Sequence, residues 1–240
     1  MRGQTEDTVD RLEAEDLARA RWYSFFSRWL LAPPDQQALD VFLEPVAGSA
    51  ADPLPPATAA ASSTAASAAD SSPTSTSTWL ESTWEAFAAA VSRESLDDIR
   101  TAYDETFISV GEAPVSFHAS VYLTGFANER PLAEVRQWLA QQGIQSDRAG
   151  LLTEDHLGLL CEAMAWLIIG NGNEDPGGTG VPVRGSDDEQ QHLFRSYISP
   201  VCDEFCHRLS ETPAAGIYRE LGHLFAAFCA VERQAFEIER

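Results

Sequence analysis

Apolar residues recur at roughly helical spacing over residues 9–31. Leu12, Leu17, Phe25, Trp29 and Leu30 set the stripe, and Trp22, Tyr23 and Phe26 widen it. A face that wide predicts burial between several helices, and Ala32-Pro33-Pro34 stops the helix. A short helix over about 35–43 follows. Thr78-Trp-Leu-Glu81 has the form of a capping box and predicts a helix from there to about Val91. Ser95-Leu-Asp-Asp98 starts the next, which runs through Ile99, Tyr103 and Phe107. Residues 111–116 read as a loop holding Pro114, and 117–124 as a short helix. Pro131 suits a first helical turn and Gly143 lies just past an end, so 131–142 is a helix.

The most apolar helix is predicted over 155–169, with Leu157, Leu160, Cys161, Met164, Leu167 and Ile168. Later helices begin near Asp187, at Ser199-Pro200 and at Thr212-Pro213. The last carries Ile217, Leu221, Leu224, Phe225, Phe228 and Val231 on one stripe. No alternating pattern marks a strand. The expectation is an all-α protein, a single helical-bundle domain of about ten helices over residues 1–240.

Two stretches break the pattern. Residues 46–78 are nearly all Ala, Ser, Thr and Pro. They have too little apolar surface to offset their ordering entropy and read as a disordered insertion, not a domain boundary. Residues 170–188 are rich in Gly and Asp and read as a flexible loop. They lack the spacing of a phosphate-binding loop, and the chain has no lysine.

Charge narrows the partners. There are 37 acids against 16 bases, all arginine, for a net charge of −21. Such a surface excludes nucleic acid as a partner. It suits a cationic partner through long-range steering, although solubility alone also explains it. The four cysteines sit in apolar helical patterns and read as buried thiols in a reducing compartment. The first seven residues are polar and acidic, with no apolar leader core. The longest apolar run is too short to span a bilayer. A cytoplasmic protein without stable membrane insertion is expected.

Candidate chemistry is sparse. Asp155-His156 could be a general base with its orienting carboxylate, but neighbours on a helix point about 100° apart. The plainer role is at a helix start, with Asp155 at or beside the cap and His156 in the first turn. His192, Cys202, Cys206 and His207 lack the tight pairs of a structural zinc site and have core-like neighbours. No catalytic residue, metal or cofactor is expected. Tyr103, Phe107, Phe117, Tyr122 and Trp138 line either a peptide groove or the core.

Three blocks, in order, carry a resemblance: Tyr103 with Phe107; Pro114 with Ser120-Val-Tyr-Leu123; and Asp155-His-Leu-Gly158. In these the chain resembles the TorD/DmsD/NarJ family of molybdoenzyme-specific chaperones, most nearly the TorD/DmsD branch. It departs from the family pattern at Thr106, Ser116-Phe117, His118 and Leu152-Thr153. The resemblance covers most of the chain outside 46–78 and 170–188.

It implies a TorD-like helical body that binds the twin-arginine signal peptide of a molybdenum-cofactor oxidoreductase subunit. The precursor would be held until cofactor insertion and folding are complete. The implied peptide-binding residues are Tyr103, Phe107, Pro114, Phe117, His118, Tyr122, Asp155 and His156. Asp104, Glu105 and Asp155 are the carboxylates to pair with the arginines. A homodimer formed by domain swapping is compatible with the family and with a long insertion. Two alternatives stand beside this: a NarJ-like assembly factor for a non-exported nitrate reductase-type subunit, and a hydrolase using Asp155 and His156.

Overall fold

Trp22, Tyr23, Phe25, Phe26, Trp29 and Leu30 are all buried on successive turns of the first helix, so no single partner can cover that face. The computed structural model describes residues 3–43, 73–108, 113–127, 129–145, 151–170 and 184–238. Its helices are α1 (Gly3–Leu31), α2 (Gln36–Leu43), α3 (Pro73–Val91), α4 (Leu96–Tyr103) and α5 (Ala119–Thr124). They continue with α6 (Arg130–Gln141), α7 (Leu157–Ile169), α8 (Asp187–Leu193), α9 (Ser199–Glu211) and α10 (Tyr218–Ile238). A π-helical turn over Asp104–Ile108 extends α4, and another over Phe194–Ile198 joins α8 to α9. Among the described residues there is no strand; the fold is all-α, as the pattern predicts.

Helix α7 is apolar almost all round, so it has to be enclosed. Its most extensive partner is α1. The two run in opposite senses, with Leu31 at the end of α1 against Gly158 at the start of α7. On the far side α10 packs on α3 and α9. Phe225 and Phe228 of α10 reach Phe26 at ring distances of 4.8 and 5.3 Å, and Trp84 and Phe87 of α3 close on Phe25.

One buried charge ties three helices. Glu232 of α10 is 1% exposed and receives two bonds from Arg19 at 2.9 and 3.0 Å and one from the Tyr23 hydroxyl at 2.8 Å. Arg19 also reaches Gln190 of α8. Three donors satisfy the hydrogen-bonding capacity of this buried carboxylate. Burial, then the charge of Glu232, pushes the Tyr23 phenol well above its ordinary range.

Several starts and stops agree with the sequence. The Asp35 carboxylate accepts the Ala38 N–H, and Ser95 accepts the Asp98 N–H. Ser186 and Glu189 form a capping box ahead of α8. Gly143, at φ +71°, ends α6. The four cysteines are buried and free.

Three expectations are corrected. Helix α3 starts at Pro73, not Thr78, so residues 73–78 belong to the helix and not to the insertion. Proline suits a first helical position because its missing N–H would have no partner there. The rest of the insertion up to residue 72, and residues 171–183 of the Gly/Asp-rich stretch, lie outside the described residues. Next, Thr212-Pro213 starts only a 3-10 turn over Pro213–Ala215. Gly216, at φ +51°, breaks the path, and α10 begins at Tyr218. Last, Phe117 and His118 are extended, and α5 starts at Ala119.

Cys202 and Cys206 lie with their sulfurs 3.9 Å apart, while His207 points outward to Glu211. No three metal-ligating side chains come together among the described residues. No described helix is long and apolar enough to cross a membrane.

Candidate functional site

Helices α5 and α7 start side by side, and the backbone just ahead of each is stitched to the other. The Ala119 N–H donates to the Asp155 carbonyl at 2.9 Å, and the Leu157 N–H to the Phe117 carbonyl at 2.8 Å. These bonds make His118 and His156 an antiparallel β-bridge, isolated from any strand. The side chains then cap both helices. His156 is the N-cap of α7, and its Nδ1 accepts the Gly158 N–H at 3.1 Å. His118, at the N-cap of α5, makes no such bond. Asp155 supplies it: Oδ2 accepts the Ser120 N–H at 3.2 Å and the Ser120 hydroxyl at 2.5 Å. Oδ1 accepts the Thr153 hydroxyl at 2.6 Å.

The Asp-His pair is therefore divided between two helix starts. This corrects the expectation that His156 lies in the first turn of α7. Asp155 sits beside that cap as expected, but the N–H it accepts belongs to α5. An anion at the positive end of α5 is favourable, and three donors make its complete burial tolerable.

Aromatic rings back this joint. Phe117 stacks on Phe107 at 4.1 Å and lies 4.7 Å from the His156 ring. Tyr103 lies 5.8 Å from Phe117 and donates its hydroxyl to the Leu30 carbonyl at 3.2 Å. Burial, and secondarily the charge of Asp104, pushes the Tyr103 phenol up to about 12. Tyr122 is half-buried; its hydroxyl donates to the Ser116 carbonyl at 2.6 Å, and the Arg208 guanidinium lies over its ring.

The eight sequence-derived residues thus fall into two layers. Tyr103, Phe107, Phe117, Asp155 and His156 are interior. Pro114 is exposed, and His118 and Tyr122 are half-buried. Asp104 and Glu105 are exposed on the π-turn after α4. On the rim, Arg136 holds Glu154 through two bonds of 2.9 and 2.8 Å.

Sequence reading missed Thr153 as a partner of Asp155, although a hydroxyl two residues ahead of an aspartate is a local signal for such a bond. The Ser120 contact spans 35 positions and has no local signal.

Two clefts open on the described surface. The larger, about 760 Å³, lies between α1, α2 and α7 and is lined by Phe25, Trp29 and Phe42 together with Arg21 and Arg28. The smaller, about 430 Å³, lies between α6 and the α8 side and includes Trp138, which is not part of the joint.

The family model for the nitrate reductase delta subunit matches residues 75–207. That span is more than half of the chain and contains the whole α5–α7 joint. Among curated proteins, none matches this chain. The chain belongs to the nitrate reductase delta subunit family, within the TorD/NarJ chaperone superfamily.

Proposed function

We propose that the chain is a cytoplasmic chaperone for a subunit of a molybdenum-cofactor oxidoreductase. It binds the twin-arginine signal peptide of the precursor and holds the subunit until cofactor insertion and folding are complete. The family match over the residues that build the α5–α7 joint carries this reading.

Physical chemistry supports it. A twin-arginine leader has a cationic end and an apolar stretch, and a net charge of −21 steers such a segment inward. Pro114, His118 and Tyr122 offer an apolar and aromatic surface, with Asp104 and Glu105 exposed on the neighbouring turn. In this division of labour Tyr103, Phe107, Phe117, Asp155 and His156 hold the surface in shape from beneath. The hydrolase reading is disfavoured: Asp155 and His156 are both engaged in capping helices.

A second reading is favoured by the description of the matching family. In that reading the chain is a NarJ-like assembly factor for a non-exported nitrate reductase-type subunit and captures a terminus that lacks twin arginines. Affinity capture from the native cytoplasm, with bound proteins identified by mass, separates the two. A molybdenum oxidoreductase precursor with its leader intact supports the first, and the same enzyme class without a leader supports the second. Recovery of no such enzyme from cells expressing it contradicts both.

A further inference from the structure

The smaller cleft has a chemistry that the larger one lacks. Trp138 of α6 is half-buried and lies 5.0 Å from the His192 ring, tilted by 38°. The Tyr197 ring lies 6.1 Å from that of His192 and nearly perpendicular to it. Glu134 and Gln137 also line the cleft, and among the described residues no arginine does. The larger cleft is lined by both signs, Arg21 and Arg28 beside Asp35 and Glu162, and so has no bias toward a cation.

We propose that the cleft between α6 and the α8 side binds an arginine side chain. The guanidinium stacks on Trp138, and Glu134 takes its charge.

The chemistry is selective for a planar cation. A guanidinium is flat, weakly hydrated and stacks on aromatic faces, whereas an ammonium is a compact, strongly hydrated point charge. Glu134 is available for this exchange. Its present partner is Arg130, a side chain 85% exposed on the same helix, and such surface pairs contribute little. The charge of Glu134 also reaches the cleft: burial, then this carboxylate, holds the Tyr197 phenol above its ordinary range. The cleft borders the joint, because Leu123, next to Tyr122 in α5, forms one wall.

The identity of the ligand rests on the chaperone reading: the arginine is one of the pair in the client leader. Consecutive side chains of an extended segment point to opposite sides, so the cleft takes one of the two.

The test follows the Trp138 indole N–H by NMR in the full chain. The probes are N-acetyl-arginine methylamide, its lysine counterpart and a twin-arginine leader peptide. The arginine probe is expected to shift this resonance saturably, with the lysine probe weaker by about tenfold. Glu134→Gln, a change at an exposed position, is expected to weaken the arginine probe by about fivefold with the rest of the spectrum unchanged. An absent or non-saturable shift, equal response to both probes, or an indifferent Glu134→Gln variant overturns the proposal. If the arginine probe saturates Trp138 but the leader peptide does not bind, the arginine site stands and the leader-binding reading fails. If the peptide binds without moving Trp138, the chaperone reading stands and the arginine site fails.

Discussion

Asp155 and Ser120 stand 35 residues apart and are joined twice, through the Ser120 N–H and the Ser120 hydroxyl, both donating to one carboxylate oxygen. That pair fixes the start of α5 to the start of α7. Asp155→Asn replaces one acceptor oxygen with a donor in a site already filled by donors. It is expected to lower stability by about 1–3 kcal/mol, the range for losing a charge-assisted buried bond. Ser120→Ala is expected to fall in the same range. The double variant should be less than additive, with a coupling of about 0.5–3 kcal/mol. Urea unfolding of the four proteins measures the cycle, and full additivity would contradict the joint.

Gly158 sits where α7 crosses the end of α1. A Cβ there would stand 2.8 Å from Leu31 Cγ and 3.2 Å from the capping His156 Nδ1. Helix propensity alone favours Gly158→Ala by about 1 kcal/mol. Overpacking opposes it by about 1–3 kcal/mol. The clash involves the branch point of Leu31, not its flexible end, so net destabilisation is expected in thermal unfolding. Leu31→Ala in the same chain should relieve part of the effect of the glycine change.

Thr106 is fully buried, and its hydroxyl has no hydrogen-bond partner among the described residues. An unsatisfied buried hydroxyl is a liability that a methyl of the same shape removes. Thr106→Val is expected to raise stability by about 1 kcal/mol in urea unfolding. A loss of stability would reveal a bond made by that hydroxyl.

Alkaline pH tests the packing of Tyr103. Its phenol is raised from an ordinary value of 10.0 to about 12, so the folded protein holds this proton more tightly than the unfolded chain does. The corresponding stability is complete below about pH 10 and lost as pH rises toward 12. Tyr122 and Tyr218 are displaced in the same direction by burial and act in the same sense. The urea midpoint should fall across this window, and tyrosinate absorbance should rise with unfolding. Tyr103→Phe should make the decline shallower. A flat midpoint would contradict the burial.

Much of the fold was legible because it is written in local chemistry. The all-round apolar run of α7, the broad stripe of α1, Ser95 as a cap, and Gly143 as a stop each act within one or two turns. Errors fell where two local signals competed. Thr78-Trp-Leu-Glu81 satisfied a capping pattern, but Pro73 had already started the helix. Pro213 suggested a start, but Gly216 ended it after one turn. The joint was legible only as a list of residues. That Asp155 caps α5 while His156 caps α7 depends on Phe117 and His118 lying extended beside them, a long-range pairing with no trace in helical periodicity. The arginine cleft was less visible still, because Trp138 of α6 is far in sequence from His192 and Tyr197.

The most direct measurement is a calorimetric titration of the full chain with the leader peptide of a molybdenum oxidoreductase precursor, repeated with both arginines changed to glutamine. The native peptide should bind saturably, and the binding should weaken with added salt. The altered peptide should bind at least about tenfold more weakly. An Asp104→Asn, Glu105→Gln variant of the chain should narrow that difference. Binding that ignores the arginines and the salt would contradict the account of a cationic leader held by acidic and aromatic groups. Absence of binding by a folded chain would remove the leader as the client.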